Sequence, residues 1–79
     1  MPSAVRGLRP LALVAPGEEV TLVDVRGGLG IRGHLAAMGL SPGIRVRLLQ
    51  NAGRGPVLVM RGDARLVLGR GMAHKVFVR

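Results

Sequence analysis

The residues whose types could do chemistry are few: two histidines, two serines and one glycine run. A ferrous or zinc centre needs about three His, Cys or carboxylate ligands converging on one point. This chain has no cysteine and four carboxylates, Glu18, Glu19, Asp24 and Asp63, none of them within four residues of His34 or His74. Both histidines are therefore expected in surface or structural roles, and neither a metal nor another cofactor is expected. Ser3 and Ser41 are the two serines, and no base stands beside either; a nucleophile without a base and an orienting group is not an active site. Gly28-x-Gly30-x-x-Gly33 satisfies the dinucleotide-loop pattern. The helix it would open is too short for a βαβ unit, and no G-x-x-x-x-G-K-[ST] loop is present. The expectation is a protein that is not an enzyme.

Charge is the chain's other asset. It carries eleven Arg and one Lys against four acids, a net charge of +8 in 79 residues. A field of that sign favours an acidic partner, whether phosphate backbone, anionic membrane or acidic protein face. The arginines are spread along the chain and not gathered in a tail, which is what outward strand positions would give. With one aromatic residue, Phe77, and no Trp or Tyr, the chain lacks the rings on which single-stranded nucleic acid is stacked. No run approaches the roughly 18 apolar residues of a membrane span, and Leu11 to Ala15 is too short for a signal-peptide core, normally about 7–15 residues. A soluble cytoplasmic protein is expected.

The elements that must position these residues are short. A chain of this size buries only about 60 % of the surface its unfolded form exposes, and without cysteine it has no disulfide to help. Packing must stabilise it, with self-association left open as a supplement. Residues 1–10 read as a loose lead-in and 11–79 as one domain. Turn signals at Pro16-Gly17, Gly27-Gly28, Gly39, Pro42-Gly43, Gly53 to Pro56, Gly62-Asp63 and Gly69 to Gly71 separate short runs rich in Val and Leu.

Five of these runs predict strands. Val20 to Val25 slips out of alternation at Leu22-Val23, as a bulge would cause. Ile44 to Leu48 alternates cleanly, so Arg45 and Arg47 share the solvent side. Pro56 to Met60 is apolar on both faces, as a central strand would be, and Arg65 to Leu68 and Val76 to Val78 complete the set. Between the first two strands, Ile31, Leu35 and Met38 fall at i, i+4 and i+7, the spacing of a helix face. Gly39 stands where a left-handed terminating residue belongs, and Leu40 where its hydrophobic contact would come. Ser41-Pro42-Gly43 then turns the chain. The reading is mainly β: a closed or nearly closed barrel of about five strands with one short helix between the first and second.

In this order the signals resemble the ferrous iron transport protein A (FeoA) family. The most specific stretch is Arg32-Gly-His-Leu-Ala-Ala-Met-Gly-Leu-Ser-Pro-Gly43, which looks like the family's basic-residue, leucine, Met-Gly-Leu-x-Pro-Gly element. Leu11-x-x-Val14-x-x-Gly17, Gly27-Gly28, Gly55-Pro56, Leu68, Ala73, Val76 and Val78 follow the family's pattern on either side. His34 stands where the family usually has Arg or Lys, Asn51-Ala52 where Ala-Pro is common, Gly69 where Arg is usual and Met72 where an acid is frequent. The resemblance implies an SH3-like barrel. It also implies an accessory or regulatory role in ferrous iron uptake, exercised by contact with the cytoplasmic GTP-binding domain of the membrane transporter FeoB, with no small-molecule substrate. Arg32, His34, Arg45 and Arg47 are the candidate partner-binding residues; Leu35, Met38, Gly39, Leu40, Pro42 and Gly43 form the structural motif. Two alternatives stand beside this reading: a free-standing SH3-like domain related to iron-dependent repressors, and a basic small barrel that binds nucleic acid.

Overall fold

In the computed structural model, residues 7–79 are described. Six strands and two helices follow one another: β1 (Arg9–Pro10), a 3₁₀ turn (Leu11–Leu13), β2 (Glu19–Val25), α1 (Leu29–Ala37), β3 (Arg45–Gln50), β4 (Val57–Arg61), β5 (Ala64–Leu68), α2 (Arg70–Ala73) and β6 (Val76–Val78). All strand pairs are antiparallel, in the order β1-β6-β2-β3-β4-β5.

β2 belongs to both halves of this sheet. Its first residues, Glu19 to Thr21, pair with β3, and Leu22 to Val25 pair with β6. The register slips between Leu22 and Asp24, so the expected bulge is present. A bulge bends its strand and increases the local twist. Both halves of the sheet, β1-β6-β2 and β2-β3-β4-β5, feed one apolar cluster that also holds Leu11, Ala12 and Val14 from the 3₁₀ turn, and Leu35, Leu40 and Ala73. No polar or charged residue is buried among the described residues. Val57 and Val59 are fully buried while Leu58 and Met60 are half-exposed, as suits a strand flanked on both sides. The Gly62-Asp63 pair joins β4 to β5 as a two-residue turn, with Arg61 opposite Ala64.

The structure refines the expected small barrel in two ways. There are six strands, because Arg9–Pro10 adds a short one beside β6. The ladder also does not close, since β1 and β5 are its two ends. Pro10 has no N–H to donate, which limits how far β1 can extend a ladder. The Gly69 to Gly71 stretch, read as a turn, instead opens the one-turn helix α2.

Helix α1 starts two residues earlier than the apolar spacing indicated, at Leu29, with Gly28 at its N-cap. Of the three expected inward residues Leu35 is fully buried, and Ile31 and Met38 are partly buried against the core. The helix terminates as a Schellman motif: the Leu40 N–H donates to the Leu35 carbonyl at 2.8 Å and the Gly39 N–H to Ala36 at 2.9 Å. Gly39 has φ +80°, the left-handed conformation this cap requires. Leu35 and Leu40, buried together, supply the hydrophobic contact. A second tight turn follows, closed by the Ile44 N–H on the Ser41 carbonyl at 3.1 Å. Pro42 at its second position and Gly43 at φ +97° in its third make it a type II turn.

Candidate docking surfaces

The four candidate partner residues are all exposed, but they do not form one site. Arg32 borders a groove of about 190 Å³ that it shares with Asp24, Val25, Ala36, Leu40, Ser41 and Pro42. This groove lies where the end of β2, helix α1 and the Ser41-Pro42 turn meet. His34, on the same helix, is exposed outside it. Asp24 lies 3.8 Å from Arg26, whose guanidinium covers the Phe77 ring at 4.6 Å from its centroid.

Arg45 and Arg47 project from β3 into a different groove, of about 370 Å³, with Glu19, Leu49, Met60 and Gly62. The two grooves share no residue. Arg45 meets Glu19 at 3.0 Å; both are exposed, so the pair is worth at most about 1 kcal/mol. The ladder register extends this surface: Arg47 faces Met60 on β4, and Met60 faces Arg65 on β5. A further groove of about 270 Å³ continues it along Gln50, Ala52, Arg54, Pro56, Leu58 and Val67.

Two arginines that sequence reasoning left unassigned hold these surfaces in place. Arg61 Nε donates to the Met38 carbonyl at 3.1 Å, which places a cation at the negative end of helix α1. A Cβ on Gly39 would lie 2.6 Å from that same Nε, so a side chain there would have to displace the Arg61 guanidinium as well as adopt a positive φ. Alternation along β4 contains the signal, since position 61 continues the inward series of Val57 and Val59. Arg70, at the start of α2, donates to the carbonyls of Gly55 (2.9 Å) and Ala12 (3.2 Å) and to Asn51 Oδ1. Asn51 Nδ2 in turn donates to Ala12 and Val14, each at 2.8 Å. This network ties the 3₁₀ turn, the β3–β4 loop and α2 together, and Asn51 is one of the residues that departs from the family pattern. Gly69 provides the N-cap of α2, and Met72 packs against the core.

At the start of β2, the Arg9 guanidinium and then the Ala15 N–H hydrogen-bond the Glu18 carboxylate and hold it below the usual carboxylate range. Among the described residues, no three His, Cys, Asp or Glu side chains gather as a metal site. Gly30 and Gly33 lie inside α1 behind the Gly28 N-cap. That helix joins β2 to β3, which pair antiparallel, so it is no βαβ crossover. Among the described residues no helix is long and apolar enough to cross a membrane.

The model of the FeoA domain family matches residues 9–79. This chain belongs to the FeoA domain family. A Methanocaldococcus jannaschii protein named as an Fe(2+) transport protein A is 33 % identical over 69 residues, covering 87 % of this chain and 83 % of that one. The crystal structure of an iron uptake regulatory protein (FeoA) superposes with a TM-score of 0.87 at 35 % identity, covering 91 % of this chain and 96 % of that one. The small β-rich fold is therefore the SH3-like one of the family. A manganese-dependent transcriptional repressor superposes with a TM-score of 0.84 at 23 % identity over 91 % of this chain and 41 % of its own; that likeness shows the fold alone.

Proposed function

We propose that this protein is a small, non-catalytic accessory protein of ferrous iron uptake that acts from the cytoplasmic side by contact with the transporter FeoB. The observation that carries this reading is near end-to-end similarity, covering 96 % of the iron uptake regulatory protein; the match to an Fe(2+) transport protein A supports it. The helix–turn side is the proposed transporter contact, with Arg32 and His34 standing on a helix whose C-terminus is fixed by Gly39 and Arg61. Arg45 and Arg47 would contribute attraction at longer range. A docked module of this kind shifts its partner's equilibrium only by contacting one state better than the other. The repressor reading is not favoured, because among the described residues the two helices, α1 and α2, are separated by three strands and form no helix-turn-helix.

The test is binding to the isolated cytoplasmic GTP-binding domain of the transporter at low and high ionic strength. Reversing Arg32, Arg45 and Arg47 to Glu should slow association at low salt while leaving the melting temperature unchanged, and the difference should shrink as salt rises. Equal association rates for variant and wild type at low salt would overturn the reading.

A further inference from the structure

The outer side of strands β3 to β5 interleaves charge and apolar surface in rows. One row across the ladder reads Arg47, Met60, Arg65, and the next reads Gln50, Leu58, Val67. Val67 is 63 % exposed, on the strand that ends the sheet. Arg45 at one side and Arg54 in the β3–β4 loop add two more exposed cations. The carboxylates at its border are Glu19, held by Arg45, and Asp63 in the β4–β5 turn. Such a face calls for an anionic occupant that also accepts aliphatic side chains.

Three anionic or self-complementary occupants fit worse than a fourth. A single-stranded nucleic acid would want rings to stack on, and the chain's single aromatic, Phe77, lies on β6 under Arg26. A duplex would meet the arginines with its phosphates but offers no aliphatic surface to Leu58, Met60 and Val67. A second copy of the chain would set cationic rows against cationic rows on a molecule of net charge +8. An acidic protein would have to match these alternating rows in shape and desolvate the arginines that flank the apolar groups. A phospholipid surface needs no matching shape. Its phosphates meet arginines at whatever angle they project, while long Arg stems let the aliphatic groups between them sink.

We propose that this face lies flat on anionic phospholipid headgroups. Arg45, Arg47, Arg54 and Arg65 take the phosphates, and Leu58, Met60 and Val67 reach the headgroup–acyl boundary. This goes beyond the transporter contact: the helix–turn groove shares no residue with the lipid face and stays free. Although Arg45 and Arg47 enter both readings, Arg65 and Val67 belong to the lipid face alone.

The test is co-sedimentation of the whole protein with phosphatidylcholine vesicles, pure or with about one-third phosphatidylglycerol, at low and high salt. Binding is expected to the anionic vesicles alone and to fall as salt rises. Arg65→Glu should lower the partition coefficient about tenfold. Arg32→Glu, which makes the same charge change on the helix side, should lower it less than about twofold. Val67→Ser, at constant charge and on an exposed position, should weaken binding severalfold if the aliphatic groups insert. Equal binding to neutral vesicles, no binding to anionic ones, or equal losses from Arg65→Glu and Arg32→Glu would each overturn the proposal. Retention on immobilised polyglutamate without any vesicle binding would do so as well and would assign the face to an acidic protein.

Discussion

Helix α1 presents one fully buried side chain to the core, Leu35, whereas the three strands beneath the cationic sheet face present five: Val46, Leu48, Val57, Val59 and Leu68. The helix contains Gly30 and Gly33, poor helix formers, and its N-cap has no side-chain hydrogen bond. It is held from its C-terminal end, by the Leu35–Leu40 contact, the Gly39 cap and the Arg61 hydrogen bond. The sheet is held by many cross-strand pairs, regular apart from a register shift in β3 between Leu48 and Gln50. In one region stability is concentrated in a few positions, and in the other it is distributed. Distributed support leaves the outward positions of β3 to β5 free to carry charge without weakening the fold.

That contrast breaks most visibly at Leu35. Leu35→Ala should cost about 2–5 kcal/mol, a large part of the roughly 5–15 kcal/mol of a native domain, while Leu58→Ala on the half-exposed outer side should cost less than half as much. Thermal melts of the two variants decide it; similar melting temperatures would mean that support is not concentrated in the helix. Gly39→Val should be next, at roughly 1–3 kcal/mol for a β-branched residue forced to positive φ, plus whatever displacing Arg61 adds. Combining it with Arg61→Ala separates the two causes, because removing the guanidinium relieves the clash and leaves the backbone strain. Full rescue by Arg61→Ala would show that space, and not conformation, selects glycine there.

Gly33→Ala should act in the opposite direction. Gly33 has a negative φ and open space around its Cβ position, so alanine should stabilise the helix by about 0.5–1 kcal/mol. A loss of stability would show that this exposed helix face is packed against something in the folded protein. The smallest effect belongs to Glu18, whose ion pair with Arg9 is largely exposed. Because its folded-state pKa is lowered, its contribution is present at neutral pH and is lost as pH falls through the lowered value. Glu18→Gln should therefore be slightly less stable than wild type at neutral pH, and the gap should close in acid. A gap that persists at low pH would trace the effect to packing instead of charge.

The strands, the bulge at Leu22-Val23 and the Gly39 cap were legible in the sequence because each is a local pattern: period two, a slip in that period, or glycine after a helical run. The same patterns placed Arg32, His34, Arg45 and Arg47 at the surface. They could not show that Arg32 and the β3 pair line separate grooves, since that depends on how α1 docks beside strands distant in the chain. β1 was hidden because two residues and a proline carry no periodicity. Helix α2 was hidden by its glycines at 69 and 71. The Asn51–Arg70 network joins segments 15 residues and more apart, and neither residue belongs to a recognisable motif.

The pairing of β1 with β6 sets Arg9 directly opposite Val78. Among the described residues the first and last strands thus lie side by side, β1 at the end of the sheet and β6 between it and β2. A unit whose two ends leave together can be spliced into a loop of a host protein with little distortion of either. It can equally hang from a linker at one end without threading past its own core. Portability of this kind requires no change to the core, only a few flexible residues at the seam.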